Sequence, residues 1–286
     1  MTDVSRAVLA ALLLFPVLAF PSAVFSAQSK SDQSRWPNER EKGTYQAKIA
    51  STGKVLWRVQ WETTVKKERD RSQVEIQEQG EGRPWRAKES VVWKKRILFE
   101  EGSAQPSSGS GKPAMQVQSV VGSKWSRDGR PMGEMDFQVD PGLGRIFYKD
   151  SEMGRRPQSA VLPLTPQSIP DELLFHWARM LPFQQEEGGK PPSTECTLVV
   201  SPSRQFRIKA QVQGTEMVTT PAGTFFCYRV SLVPQLPGPL KALAPRMSLW
   251  CRTESPNYWV RYQGPVGGPG SPEAVIELVK FEQGSS

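Results

Sequence analysis

Histidine is almost missing from this 286-residue chain, with His176 its one copy, and cysteine is scarce, with three. Zinc sites are built from clustered His, Cys and carboxylate ligands, so these counts argue against one. His176 is the one imidazole available as a general base or ligand. It sits between Phe175 and Trp177 on a predicted helix, with no sign of the third group that would orient an activated base. A packed helical histidine is expected there. No Gly-x-Ser-x-Gly elbow occurs. The glycine clusters at 142–144 and 264–270 lack the helix and the Lys-Ser/Thr pair of a phosphate loop. The expectation is therefore no catalytic residue, no metal, no cofactor and no enzyme.

Long apolar runs are also absent, with one exception. Residues 7–25 are almost purely apolar behind Arg6, and the small residues Ser26 and Ala27 precede a polar stretch. That order of charged flank, apolar segment and small-residue cleavage zone marks a secretory signal peptide over 1–27. Pro16 and Pro21 disfavour the alternative, a retained spanning helix in contact with the inner membrane. The first cysteine is Cys196, so no lipid-bearing Cys follows the leader. A periplasmic or secreted product is expected, and export argues against a nucleic-acid partner.

The charge balance is +8, from 37 Lys and Arg against 29 Asp and Glu. The two signs are interleaved: the densest run, 66–71, contains both. That is the pattern of solvated faces rather than of a docking patch. Paired carboxylates for glycoside hydrolysis can lie far apart in sequence. Asp136, Asp140, Glu254 and Glu273 are candidates for an alternative reading, a hydrolase of envelope glycan or lipid. Surface acids that simply solvate a face are the weightier explanation.

What the chain has in quantity is strands. Residues 28–40 are polar and read as a disordered linker, with a β-rich domain over 41–283, divisible into halves at 41–150 and 165–283. Residues 43–51 alternate Tyr45, Ala47 and Ile49 against polar partners. Residues 54–65 place Val55, Trp57, Val59 and Trp61 on one face with period two, and a turn at 51–54 joins the two runs. Such alternation bounded by glycine predicts antiparallel hairpins with one buried face. Further runs follow at 72–79, 85–101, 115–121, 134–139 and 145–150, and then at 193–201, 205–214, 215–221, 224–233, 246–252, 257–264 and 274–282. The segment 103–114, rich in Ser, Gly and Pro, reads as a flexible loop, and 186–193 as another. One short helix is predicted over 170–182, capped by Ser168 or Asp171, with Leu174, Trp177 and Leu181 against the sheet. The fold class expected is mainly β: a large curved antiparallel sheet or part-closed barrel with one short helix packed on it. Cys227 and Cys251 fall on strands joined near Gly238–Pro239, which places a cross-strand disulfide within reach.

The C-terminal part carries a family likeness. Residues 218–225 (Val-Thr-Thr-Pro-Ala-Gly-Thr-Phe), Leu249-Trp250, Asn257-Tyr258-Trp259-Val260 and Glu277-Leu278 form a turn, strand and closing-strand series. With the helix upstream, residues 165–282 resemble the exported bacterial proteins of domain-of-unknown-function family 3108. The turn after the Trp strand departs from that pattern at Thr253–Pro256. The resemblance implies an envelope location and a β fold, and it brings no catalytic residues.

Nine tryptophans remain as the best functional clue. Trp57, Trp61, Trp177 and Trp250 are the candidates for an apolar groove on a curved sheet, set against their service as ordinary core. The function expected is a non-catalytic envelope protein that binds an apolar ligand, a lipid or another envelope protein.

Overall fold

The computed structural model describes residues 40–283 apart from 69–70, 86, 103–114, 154, 166, 182, 184–190, 202–203, 237, 239–243, 255 and 267–270. The expected leader 1–27, all of the linker but Arg40, the loop 103–114 and most of the loop 186–193 thus lie outside the described residues. All described residues belong to the unit Ser34–Ser286.

Among the described residues, fifteen strands form one sheet. The first eight are β1 (Glu41–Ile49), β2 (Val55–Glu68), β3 (Arg71–Gly82), β4 (Val91–Gly102), β5 (Met115–Ser126), β6 (Pro131–Asp140), β7 (Arg145–Glu152) and β8 (Gln158–Pro163). After them come β9 (Ser168–Pro170), a 3-10 turn (Asp171–Leu173) and one helix, α1 (Leu174–Ala178). The rest are β10 (Ser193–Ser201), β11 (Arg204–Thr220), β12 (Gly223–Pro234), β13 (Met247–Arg252), β14 (Trp259–Pro265) and β15 (Glu273–Gln283). The spatial order is β8-β7-β6-β5-β4-β3-β2-β1-β15-β14-β13-β12-β11-β10-β9. Every neighbour is antiparallel except β9 with β10, which are parallel. Two meanders therefore meet at β1 and β15 in the middle.

The two edges, β8 and β9, are consecutive in the chain and separated by residues 164–167 only. Five peptide steps span at most about 18 Å, so connectivity draws the edges together and the sheet curls. Leu164 N donates to Gly144 O beside β7, and Thr197 N donates to Gln167 O beside β10. The edge strands do not pair with each other, so the barrel stays open. Proline at both edges, Pro163 and Pro170, withholds a ladder donor there.

Pleating sends alternate residues to the inner face. Val74, Ile76, Ile97, Phe99, Val120, Phe137 and Ile146 are each fully buried on that face. Helix α1 sits against the same inner face. Leu173, Leu174, His176, Ala178, Arg179 and Leu181 are all at most 8 % exposed, so the segment is enclosed on several sides rather than laid on a surface. It is shorter than the expected 170–182. Neither Ser168 nor Asp171 caps it through a side chain; the Ser168 hydroxyl bonds Thr165 instead. Leu174 and Leu181 are buried as expected, and Trp177 is only half-buried.

Three further expectations need correction. The runs expected at 205–214 and 215–221 belong to one strand, β11 (Arg204–Thr220), because a bulge between Val212 and Gly214 carries the ladder through. Strand β4 begins at Val91 rather than at 85, and β8 and β9 carried too little alternation to be foreseen. Cys227 and Cys251 are free thiols. The register sets Cys227 opposite Arg252 and Cys251 opposite Tyr228. That one-residue offset points the two side chains to opposite sides of the pleat; Arg252 lies near the first and Arg179 near the second.

Candidate functional site

The inner face changes character along the strands. One cross-strand row, Thr63-Ile76-Ile97-Val120-Phe137-Tyr148, belongs to the core. The next row on the same face is Trp61-Glu78-Lys95-Gly122-Met135-Asp150, and the one after it is Val59-Gly80-Trp93-Lys124-Gly133-Glu152. Charges thus appear at inward positions, directly above the apolar core. These rows, with β1, β14, β15 and the helical segment, bound a cavity of about 570 Å³.

Aromatic side chains make much of its wall. Tyr45 is stacked between Trp259, with ring centres 3.6 Å apart, and Trp61, at 5.9 Å. The Tyr45 hydroxyl donates to Trp259 O at 2.8 Å. Phe175 of α1 packs on Trp259 at 4.8 Å and on Tyr262 at 4.9 Å. Trp57 and Trp93 meet edge to face, 6.2 Å apart and 84° between planes. Trp57, Trp93 and Phe175 keep part of their surface accessible, whereas Tyr45, Trp61 and Trp259 are nearly enclosed. The indole N–H groups of Trp61 and Trp259 are buried and meet no acceptor, although buried donors are normally satisfied.

Glycine makes room for two of these rings. Gly43 is opposite Trp61 and Gly80 is opposite Trp93. A Cβ on Gly80 would come within 2.2 Å of the Trp93 ring, and one on Gly43 within 2.9 Å of the Trp61 ring. Each indole therefore lies across a bare backbone, and any side chain there would displace it.

The charged part of the wall centres on the 3-10 turn. Lys95 Nζ donates to Glu172 Oε1 at 3.4 Å. Burial works against the lysine's charge, but Glu172, Glu78 and Asp171 outweigh it and raise the pKa to about 12. Burial alone would raise Glu172, yet Lys95 and a hydrogen bond with Asp171 hold it below the usual glutamate value. Asp171 moves the other way. It is exposed to solvent and lines the cavity, and the surrounding protein, with Glu172 beside it, raises its pKa well above the ordinary aspartate value. Asp150 is raised too, by burial and then by Glu152. His176 is 7 % exposed. Its Nε2 lies 4.0 Å from Glu78 Oε1, beyond hydrogen-bond reach. Among the described residues no group of three His, Cys, Asp or Glu is placed to hold a metal ion.

Of the four tryptophans expected at a site, Trp57 and Trp61 line this cavity and Trp177 and Trp250 do not. Trp250 is 8 % exposed and its indole donates to Glu216 Oε1. The four candidate acids are dispersed. Asp136 accepts from Gln138, Asp140 from the Leu143 N–H and Glu273 from Gln263, while Glu254 pairs with Arg252. None of them lines the cavity. Composition alone did not single out Trp93, Tyr45, Phe175, Trp259, Lys95, Asp171 or Glu172. The available signal was a charge in an inward register: Lys95 in the Val91, Trp93, Ile97, Phe99 series, and Glu78 after Val74 and Ile76.

No family model matches the chain, and neither does any curated protein. Among solved structures, the chain is similar to a β-barrel-like protein of domain-of-unknown-function family DUF1849 from Brucella abortus. That likeness has a TM-score of 0.51 at 12 % identity, over 86 % of this chain and 98 % of the other. A protein from Bacteroides fragilis, described as exported and as having a YmcC-like fold, covers 86 % and 98 % at 12 % identity with a TM-score of 0.34. A protein from Parabacteroides distasonis described as a lipoprotein covers 87 % and 98 % at 10 % identity with a TM-score of 0.35. What the Brucella likeness shares with this chain is the fold: a mainly β, barrel-like sheet.

Proposed function

We propose that this chain is a non-enzymatic, exported component of a bacterial envelope that holds an apolar ligand against the aromatic inner wall of its sheet. One observation carries the reading: a cavity of about 570 Å³, walled by aromatic rings from six separate elements, with Trp57, Trp93 and Phe175 still accessible. Its size is that of small-molecule sites, which combine apolar walls with a few placed polar groups. Export rests on the leader-like pattern of residues 1–27.

Native mass spectrometry of the protein purified from its own compartment tests this. The expected result is a mass above that of the polypeptide, released on denaturation as a lipid or other amphiphile. A bare polypeptide mass, together with no change in tryptophan emission on titration with neutral alkyl glycosides, would overturn the reading.

A further inference from the structure

The cavity is charged against the grain of the molecule. The chain carries +8 overall, yet six carboxylates (Glu78, Glu134, Asp150, Glu152, Asp171 and Glu172) line the cavity against three lysines. Lys95 is taken up by Glu172, and Glu78 stands beside His176. Lys124 pairs with Glu152. Asp150 lies near Lys124 as well as Glu152 and Glu172, and Asp171 near Lys95 as well as Glu172, but carboxylates still outnumber lysines on this wall, and like charges held close together repel. Binding a cation would relieve that repulsion.

The surroundings indicate what kind of cation. No three ligands converge on a point among the described residues, so the acids are not arranged to chelate a metal. Instead the accessible indoles of Trp57 and Trp93 form a right-angled corner, and Phe175 lines the same cavity. Aromatic faces combined with diffuse negative charge are the recognition chemistry of organic ammonium groups. We propose that the ligand of this cavity is an amphiphile with an amine or quaternary ammonium head, the head meeting Asp150, Asp171 and the accessible aromatic faces, and the apolar body lying along the rest of the wall. This deepens the reading above and rests on it.

Three probes of equal chain length separate the two ideas: octyltrimethylammonium, octyl glucoside and octyl sulfate, each below its micellar concentration, titrated into the exported chain by calorimetry and tryptophan fluorescence. The ammonium probe is expected to bind about tenfold more tightly than the sulfate, although the net charge of the protein favours the anion. Asp150→Asn with Asp171→Asn should cut that advantage to about threefold or less and leave glucoside binding unchanged, with circular dichroism reporting an intact fold. Should the pair fail to fold, the single Asp171→Asn variant, at a solvent-accessible position, carries the same test. If glucoside binds but sulfate matches ammonium, or if the ammonium preference survives these variants, the head-group assignment falls and the apolar cavity stands. If no probe binds, both fall.

Discussion

At the scale of single residues, Glu41 and Arg179 form the most consequential pair. They are 0 % and 1 % exposed. The guanidinium donates to Glu41 Oε2 at 3.4 Å and to Pro256 O at 2.9 Å. The pair joins the segment after α1 to β1 and to the turn before β14. Removing one partner of such a buried pair leaves an uncompensated charge, so Glu41→Ala is expected to cost about 3–5 kcal/mol, read as a shift in the urea midpoint. Replacing both, as Glu41→Leu with Arg179→Met, should recover most of that loss. Gly80→Ala should leave the sheet folded but push the Trp93 ring out of the cavity wall, which changes tryptophan emission and weakens probe binding. The thiols make a third residue-level case. Burial raises Cys196 and Cys227 to about 12 and Cys251 further still, so none should react with a thiol reagent at pH 8 in the native protein, and all three should react in urea. The sequence points to Trp57 and Trp61 because period-two alternation identifies which side chains share a face. It does not point to Trp259 or Phe175 as their neighbours, because those meetings depend on a strand and a helix more than a hundred residues away in the chain.

At the scale of elements, the 3-10 turn before α1 holds two adjacent carboxyl groups whose ionisation affects stability in opposite directions. The folded pKa of Asp171 lies above its unfolded value. Its favourable contribution is therefore full below the unfolded pKa and is lost as pH rises towards and through the folded one, so at neutral pH the group lowers the stability of the fold. Asp171→Asn should raise the melting temperature at pH 7, by no more than about 2–4 °C given the side chain's access to solvent. Glu172 is lowered. Its contribution is present above the unfolded pKa and is lost as pH falls through the folded one, so Glu172→Gln should lower the melting temperature at pH 7. An aspartate kept at a cost to stability, inside a cavity, is what a binding role would retain. The antiparallel ladders were legible because alternation and turn residues act locally. The helix was legible as to place but not length: a five-residue helix is held by enclosure on the inner face, not by caps or propensity, and pattern reading takes no account of enclosure.

At the scale of the whole molecule, the sheet order places β1 beside β15. Tyr45 pairs with Leu278, and Ala47 with Ile276. Pairings this far apart in sequence are slow to form, and they sit at the centre of the sheet rather than at a margin. Truncation before Glu273 should therefore abolish cooperative unfolding altogether. Hydrogen exchange should be fastest along the exposed edge strand β8 and slowest at Tyr45–Ala47. A curved, open sheet was legible from the strand count and the lack of intervening helices. The closure of the two meanders through the terminal strands was not, because nothing in a local pattern says which distant strand a given strand will find. With the chain exported as proposed above, delivery and maturation are coupled as a result. A polypeptide threaded through a narrow channel from its amino end has no finished sheet until the final eleven-residue strand has cleared the exit. Resistance to proteases should then arrive in a single late step, not strand by strand.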